Sequence, residues 1–144
     1  MNEVDEFVKK FTNEEIEGVI KIKREFFQAG EDLLRVKEKI GREPFAIGKF
    51  LGSGKPLHPS SALLDWLNAR TEKFVIIDGK AEWLFLCGRD VFKQSILDKT
   101  TDHGLVLVKN SLGEVLGYGE MRMKDKKVPL KNIMDKGDFL RRER

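Results

Sequence analysis

The stretch "GLVLVKNSLGEVLGYGEMRM", Gly104 to Met123, sets two apolar runs on either side of Ser111-Leu112-Gly113. Apolar runs separated by a short turn that contains glycine predict a β-hairpin. The same pattern continues in both directions. Upstream, "KFVIID" predicts a strand, Asp78-Gly79 a hairpin turn, and "AEWLFLCG" a returning strand. Downstream, the tail from Lys124 predicts one more short strand. Short strands linked by glycine turns predict a small barrel, with an α+β unit before it.

In that earlier unit, "NEVDEFVKKF" spaces Val4, Phe7, Val8 and Phe11 along one face of a short helix, and "GVIKIKREFFQAG" predicts a pair of short strands. "EDLLRVKEKIG" carries a helical pattern that should stop at Gly41, and "PFAIGKFL" predicts a strand. "ALLDWLNAR" puts Leu63, Leu64 and Leu67 on one helical face, with Ser60 or Ser61 as its cap. Before this helix, Gly52-Ser53-Gly54-Lys55 looks like a phosphate-binding loop but fails its chemistry. A Walker A loop needs a glycine where Lys49 stands and a hydroxyl where Pro56 stands. Pro56 also removes an N–H from the anion cradle, so the stretch reads as a plain loop joining a strand to a helix.

A chain of 144 residues, 40% hydrophobic and with ten Phe, can bury a core without disulfides, and 35% charged residues imply a densely solvated surface. Cys87 is the only cysteine, which excludes an intramolecular disulfide and a multi-cysteine zinc site and points to a reducing, intracellular compartment. The acidic start lacks the apolar core of a signal peptide and no run approaches a membrane span, so neither export nor membrane insertion is expected. The net charge of +3 conceals an asymmetry: residues 1–32 hold 5 basic against 9 acidic residues, and residues 121–144 hold 9 against 4. Such a chain can bind a polyanion with its basic end. A lysine-rich surface is equally what proteins from hot environments carry. With the compact length, it points to a prokaryotic, archaeal cytoplasm; a eukaryotic relative would be nucleolar.

Chemistry for catalysis is sparse. His58 and His103 lie 45 positions apart with no second ligand at a metal spacing; both read as loop residues, and no metal site is expected. Cys87, behind "WLFL", reads as a small hydrophobe at the end of a buried strand. Asp65, Asp78, Asp90 and Asp102 lack an acid–base partner pattern, and each has a capping or turn role open to it. No catalytic residue and no cofactor is expected. Arg122, Lys124, Lys126 and Lys127 alternate with Met121, Met123 and Val128, which predicts a cationic row on one strand face. Lys131, Arg141 and Arg142 extend it. The tail offers only Tyr118 and Phe139 for stacking, so phosphate contacts should dominate over base reading.

"FLCGRDVFKQSI", "GLVLVKNSLGEVLGYGEM" and "DKGDFLRRER" together resemble a PUA domain, a small RNA-binding β-barrel. Gly113, Gly117 and Gly119 stand where such domains make a hairpin and a close strand approach. "IGKFLGSGKPLHPSSALLDWL" looks like the strand, loop and helix that precede the PUA domain in the Nip-seven family of large-subunit ribosome biogenesis factors. Gly48-Lys49-Phe50 and the series FLxGxxVxK from Phe85 to Lys93 carry most of that likeness, which is good over residues 31–144 and weak before them. The resemblance implies an α+β protein: a small N-terminal α/β (pre-PUA) domain over residues 1–70, then a PUA-type mixed β-barrel over residues 71–144. It implies no catalytic activity and a role in pre-rRNA processing and large-subunit assembly; a monomer is expected. Its expected partners are RNA, U-rich single strands included, and assembly factors or the pre-ribosomal particle. The tail series Arg122, Lys124, Lys126, Lys127 and Lys131 is expected to supply most RNA affinity, with Lys49, Arg89 and Lys93 positioning the strand. Gly52 to Lys55 is expected as an exposed loop beside the domain junction, where Lys55 could also touch RNA. Two other readings share the barrel: a translation-associated protein acting on ribosomal subunits or tRNA, and an accessory domain of an RNA-modifying enzyme.

Overall fold

Asn2 starts the first helix by accepting the Asp5 N–H at 2.8 Å, half of a capping box. The structure, a computed structural model, describes residues 2–41 and 47–138. Its contacts divide the chain into two units, residues 1–70 and 71–144, and each sheet is drawn from one unit alone.

In the first unit, helix α1 (Glu3–Lys9) buries Val4, Phe7 and Val8, and Phe11 follows them inward. Strands β1 (Val19–Ile22) and β2 (Glu25–Gln28) form the expected pair, and helix α2 (Glu31–Ile40) ends at Gly41 in the left-handed conformation, φ 73°. Strands β3 (Lys49–Ser53) and β4 (His58–Pro59) complete an antiparallel sheet ordered β1-β2-β3-β4. Helix α3 (Ser61–Asn68) turns Leu63, Leu64 and Leu67 fully inward, and Ser60 is its cap, accepting the Leu63 N–H at 3.1 Å. Two expectations change here. In "PFAIGKFL" Ile47 and Gly48 are not strand and β3 begins at Lys49, while Pro44 to Ala46 lie outside the described residues. The loop after Gly52 does not run straight to the helix. It folds back, because the Ser60 N–H bonds the Leu51 carbonyl at 2.9 Å and the Ser60 hydroxyl bonds the Phe50 carbonyl at 2.8 Å. His58 therefore stands on a strand, opposite Ser53, and not in a loop.

The second unit begins with β5 (Phe74–Ile77) and α4 (Gly79–Leu86). Strands β6 (Ile96–Lys99), β7 (His103–Lys109), β8 (Val115–Arg122) and β9 (Leu130–Asp135) follow, in a sheet ordered β6-β5-β7-β8-β9. β5 and β7 run parallel; the other pairs are antiparallel. Val75, Ile77, Phe85, Val106, Val108, Met121 and Leu130 are among the residues of its core. The β7–β8 hairpin forms as the opening stretch predicts, and Asn110 holds its turn. The Asn110 carbonyl oxygen accepts the Leu112 and Glu114 N–H groups at 3.0 and 2.9 Å, and its amide donates to Glu82 and Glu114 at 3.1 and 2.9 Å.

"AEWLFLCG" is not a strand. Asp78 accepts the Ala81 N–H at 2.8 Å and so caps a helix where a hairpin turn was expected. Ala81 and Phe85, one helical turn apart, face the core. A short apolar run has no period that separates a strand from a buried helix, and here the cap decides. Cys87 ends this helix and is exposed, which corrects its expected place on a buried strand. The sheet is also not a closed barrel among the described residues: β6 and β9 are its two edges. The outer side of β9 takes one isolated bridge, Val91 to Leu130, and the Asn132 N–H bonds Asp90 at 2.8 Å while its amide reaches the Phe85 carbonyl at 2.9 Å. The segment after α4 covers the edge that β6 would need for closure.

Candidate nucleic-acid interface

The cationic tail is organised by Asp125. Its N–H bonds the Arg122 carbonyl at 2.9 Å, and its carboxylate accepts the N–H groups of Lys127 and Val128 at 3.2 and 3.0 Å. These bonds make a turn between β8 and β9, so the expected cationic row does not lie on one strand face. Arg122 ends β8, whereas Lys124, Lys126 and Lys127 are exposed on the turn.

A second segment meets that turn. The Val91 N–H bonds the Leu130 carbonyl at 2.9 Å, and the Lys93 N–H bonds the Lys127 carbonyl at 3.0 Å. Val91 is buried; Phe92, between the two anchors, is 48% exposed. Phe92, Lys93, Gln94, Lys126 and Lys127 line one surface depression of about 560 Å³. Among the described residues, no carboxylate pairs with Lys93, Lys124, Lys126 or Lys127. These side chains are exposed; Asp125, between Lys124 and Lys126, accepts two N–H groups of the turn, and the surplus of positive charge that remains suits a polyanion.

Arg122 and Lys131 are different. The Arg122 guanidinium donates to both Glu120 carboxylate oxygens, at 3.2 and 2.9 Å, and Lys131 lies across the β8–β9 ladder from Glu120. The hydrogen bond from Arg122, more than its charge, holds the Glu120 carboxyl below the usual carboxylate range, and Lys131 adds to the effect. Part of the tail's positive charge is thus cancelled within the molecule. Arg89 is exposed on the segment after α4 but does not line the depression. Lys49 begins β3 and Lys55 lies in the turn before β4; both are exposed, in the first unit. Arg141, Arg142 and Phe139 lie outside the described residues. The structure therefore brings Lys93, Lys126 and Lys127 together, with Lys124 on the same turn.

Phe92 is the residue that sequence reasoning missed. Looking for stacking aromatics in the tail alone passes over it; the usable signal was its place between Val91 and Lys93 in the FLxGxxVxK series. Tyr118 is half-buried, and burial pushes its phenol above the ordinary value. The aspartates have structural partners: Asp78 caps α4, Asp90 accepts from Asn132, and the Asp102 carboxylate pairs with Lys99, whose hydrogen bond holds it below its usual range. Among the described residues, no group of three or more His, Cys, Asp and Glu could hold a metal ion, and no helix is long and apolar enough to cross a membrane.

Comparison with known proteins places this geometry. A solved structure of a conserved PUA domain protein from Thermoplasma acidophilum superposes with a TM-score of 0.61 over 99% of this chain and 96% of that one, at 21% identity, a likeness of fold alone. A hypothetical protein from Pyrococcus horikoshii reaches a TM-score of only 0.47, at 18% identity over 81% of this chain and 72% of its own, too low for any argument. A UPF0113 protein of Archaeoglobus fulgidus is 31% identical over 90 residues, which cover 55% of this chain. The match covers 51% of that relative, so the chain spans about half the length of the curated relative it matches. The model of the UPF0113 PUA domain family matches residues 73–144, half of the chain and the whole of the described second unit from β5 onward, and the protein belongs to that family.

Proposed function

We propose that this protein binds RNA without modifying it, and that it serves ribosome biogenesis as a factor for large-subunit precursor RNA in an archaeal cytoplasm. The observation that carries the reading is the depression in the PUA unit, which Lys93, Lys126 and Lys127 line together with an exposed aromatic ring, and where no carboxylate forms an ion pair with these lysines among the described residues. Lysines on a turn and a neighbouring segment suit a flexible phosphate chain better than a small ligand, because they offer charge without an enclosing wall. The assembly role rests on the likeness of the first unit's "GKF" strand, loop and helix to Nip-seven proteins.

The affinity of the full chain for ribosomal RNA fragments, followed against salt, tests the binding. Each phosphate neutralised on a single strand contributes about −0.7 to the slope of log affinity against log salt. Replacing Lys93, Lys126 and Lys127 together by Ala should weaken binding across many sequences and flatten the slope by roughly 2, with the fold retained because exposed lysines contribute within about 0.5 kcal/mol. A folded triple variant with unchanged affinity and slope places the RNA surface elsewhere. Crosslinking and sequencing in cells tests the assembly role: recovery of large-subunit precursors is expected, and association with mature small subunits or tRNA alone would refute it.

A further inference from the structure

Three cation–ring pairs among the described residues raise the question of what Phe92 is for. Lys21 lies over Phe26 at 5.6 Å, Arg70 over Trp66 at 4.0 Å, and Lys109 over Phe74 at 4.2 Å. These aromatic faces are occupied within the chain. Phe92 has three lysines around its depression, yet among the described residues no cation and no ring is stacked on it. Its backbone is fixed on both sides, by Val91 to Leu130 and by Lys93 to Lys127, and the Ser95 N–H closes a 3-10 turn onto the Phe92 carbonyl at 3.0 Å. Phe92 is therefore mounted on hydrogen-bonded backbone, and the residue is 48% exposed. A single exposed apolar residue needs no explanation by itself. An unstacked ring on hydrogen-bonded backbone, lining one depression with three lysines, does, since a π-face beside phosphate-binding charge matches what an unpaired nucleotide presents.

We propose that the depression binds single-stranded RNA by stacking one unpaired base on Phe92, with the flanking phosphates on Lys93, Lys126 and Lys127 and the Gln94 amide at the base edge. The proposal rests on the RNA-binding reading above and specifies its substrate as an unpaired strand. A base inside a duplex has both faces covered by its neighbours and cannot reach the ring. Phosphate contacts alone would serve duplex and single strand alike. Gln94 is exposed beside the ring and carries both a donor and an acceptor, so it can tolerate several bases.

The test uses the full chain and three probes: oligo-U, a mixed-sequence single strand of equal length, and the same mixed strand as a duplex. Phe92→Leu keeps an apolar side chain and removes the π-face. It should weaken both single strands about fivefold to a hundredfold, leave the salt slope unchanged, and leave duplex affinity unchanged. Phe92→Tyr should restore single-strand affinity. Trp83→Leu is the control: Trp83 is 68% exposed on α4 and does not line the depression, so its loss should change nothing. A strand carrying one fluorescent base analogue should be quenched on binding the native chain and the Tyr variant but not the Leu variant. If native protein binds no RNA, the RNA-binding reading itself fails. If the triple lysine variant loses affinity while Phe92→Leu keeps it for every probe, RNA binding stands and the stacking proposal is overturned. Equal loss on duplex and single strand would also overturn it, since the ring would then act through the turn and not through a base.

Discussion

Glu120 limits how much of the tail's charge reaches a ligand. Its carboxylate takes two hydrogen bonds from Arg122 and lies opposite Lys131, so two of the expected RNA-binding cations spend part of their field inside the protein. The Glu120 pKa is lowered, chiefly by the Arg122 hydrogen bond. A lowered carboxylate pKa contributes stability above the unfolded value and loses it as pH falls through the folded one, so near neutral pH the pair is intact. Glu120→Gln should free Arg122 and raise RNA affinity, with the salt slope steeper by up to about 0.7. Fluorescence anisotropy across a salt series measures this, and an unchanged slope would remove Arg122 from the interface. Arg122 is exposed and Glu120 partly so, and little change in folding stability is expected.

At the scale of elements, β8 and β9 approach more closely than side chains allow. Gly117 has φ 156°, and a Cβ built on it would lie 2.0 Å from the Met134 carbonyl oxygen; at Gly119 the corresponding contact is 2.4 Å from the Lys131 oxygen. These contacts are backbone atoms and cannot swing away. Gly117→Ala must therefore part the two strands or break the ladder, and we expect a loss of at least about 2 kcal/mol in urea unfolding, from strain and overpacking together. Gly113 is also left-handed, φ 83°, but a Cβ there would meet nothing within 4 Å, so Gly113→Asn should cost far less. Equal losses at the two sites would refute the close-approach account. The same strands carry the turn with Lys124, Lys126 and Lys127, so a parted β8–β9 pair should weaken RNA binding as well.

At the scale of the whole molecule, the two units have separate sheets, and every residue of the second unit's core cluster comes from residues 75–130. Asn110, Asp78 and Asn132 hydrogen-bond to residues of that unit too. Residues 71–144 alone should therefore fold and unfold in one cooperative urea transition. The depression would remain complete, because all five lining residues belong to this unit. The fragment should keep the part of the RNA salt slope that Lys93, Lys126 and Lys127 supply. Any slope lost on removing residues 1–70 measures what Lys49 and Lys55 contribute. A fragment that fails to show cooperative unfolding would mean that the first unit is needed for the second to fold.

Local pattern by itself determined the elements whose signals are short in range. Helical spacing at Val4, Phe7 and Val8, the Ser60 cap, Gly41, and the Ser111-Leu112-Gly113 turn each carry their information within a few residues, and the corresponding helices, hairpin and strands form where they were expected. The PUA likeness was legible too, because it lies in residues spread over the matched stretch, 73–144. Only the tertiary structure decided three things. It made Ala81 to Leu86 a helix, since an apolar run without period takes the state that its cap and its burial select. It left the sheet open, since closure depends on which segment reaches the outer edge of β9, and Asp90, Val91 and the Asn132 network reach it first. It assembled the candidate site, since Phe92 and Lys93 lie more than thirty positions before Lys126 and Lys127 and meet them through a single backbone hydrogen bond, from Lys93 to Lys127. No pattern read along the chain contains that contact, because it joins a turn to a segment that the sequence keeps far from it.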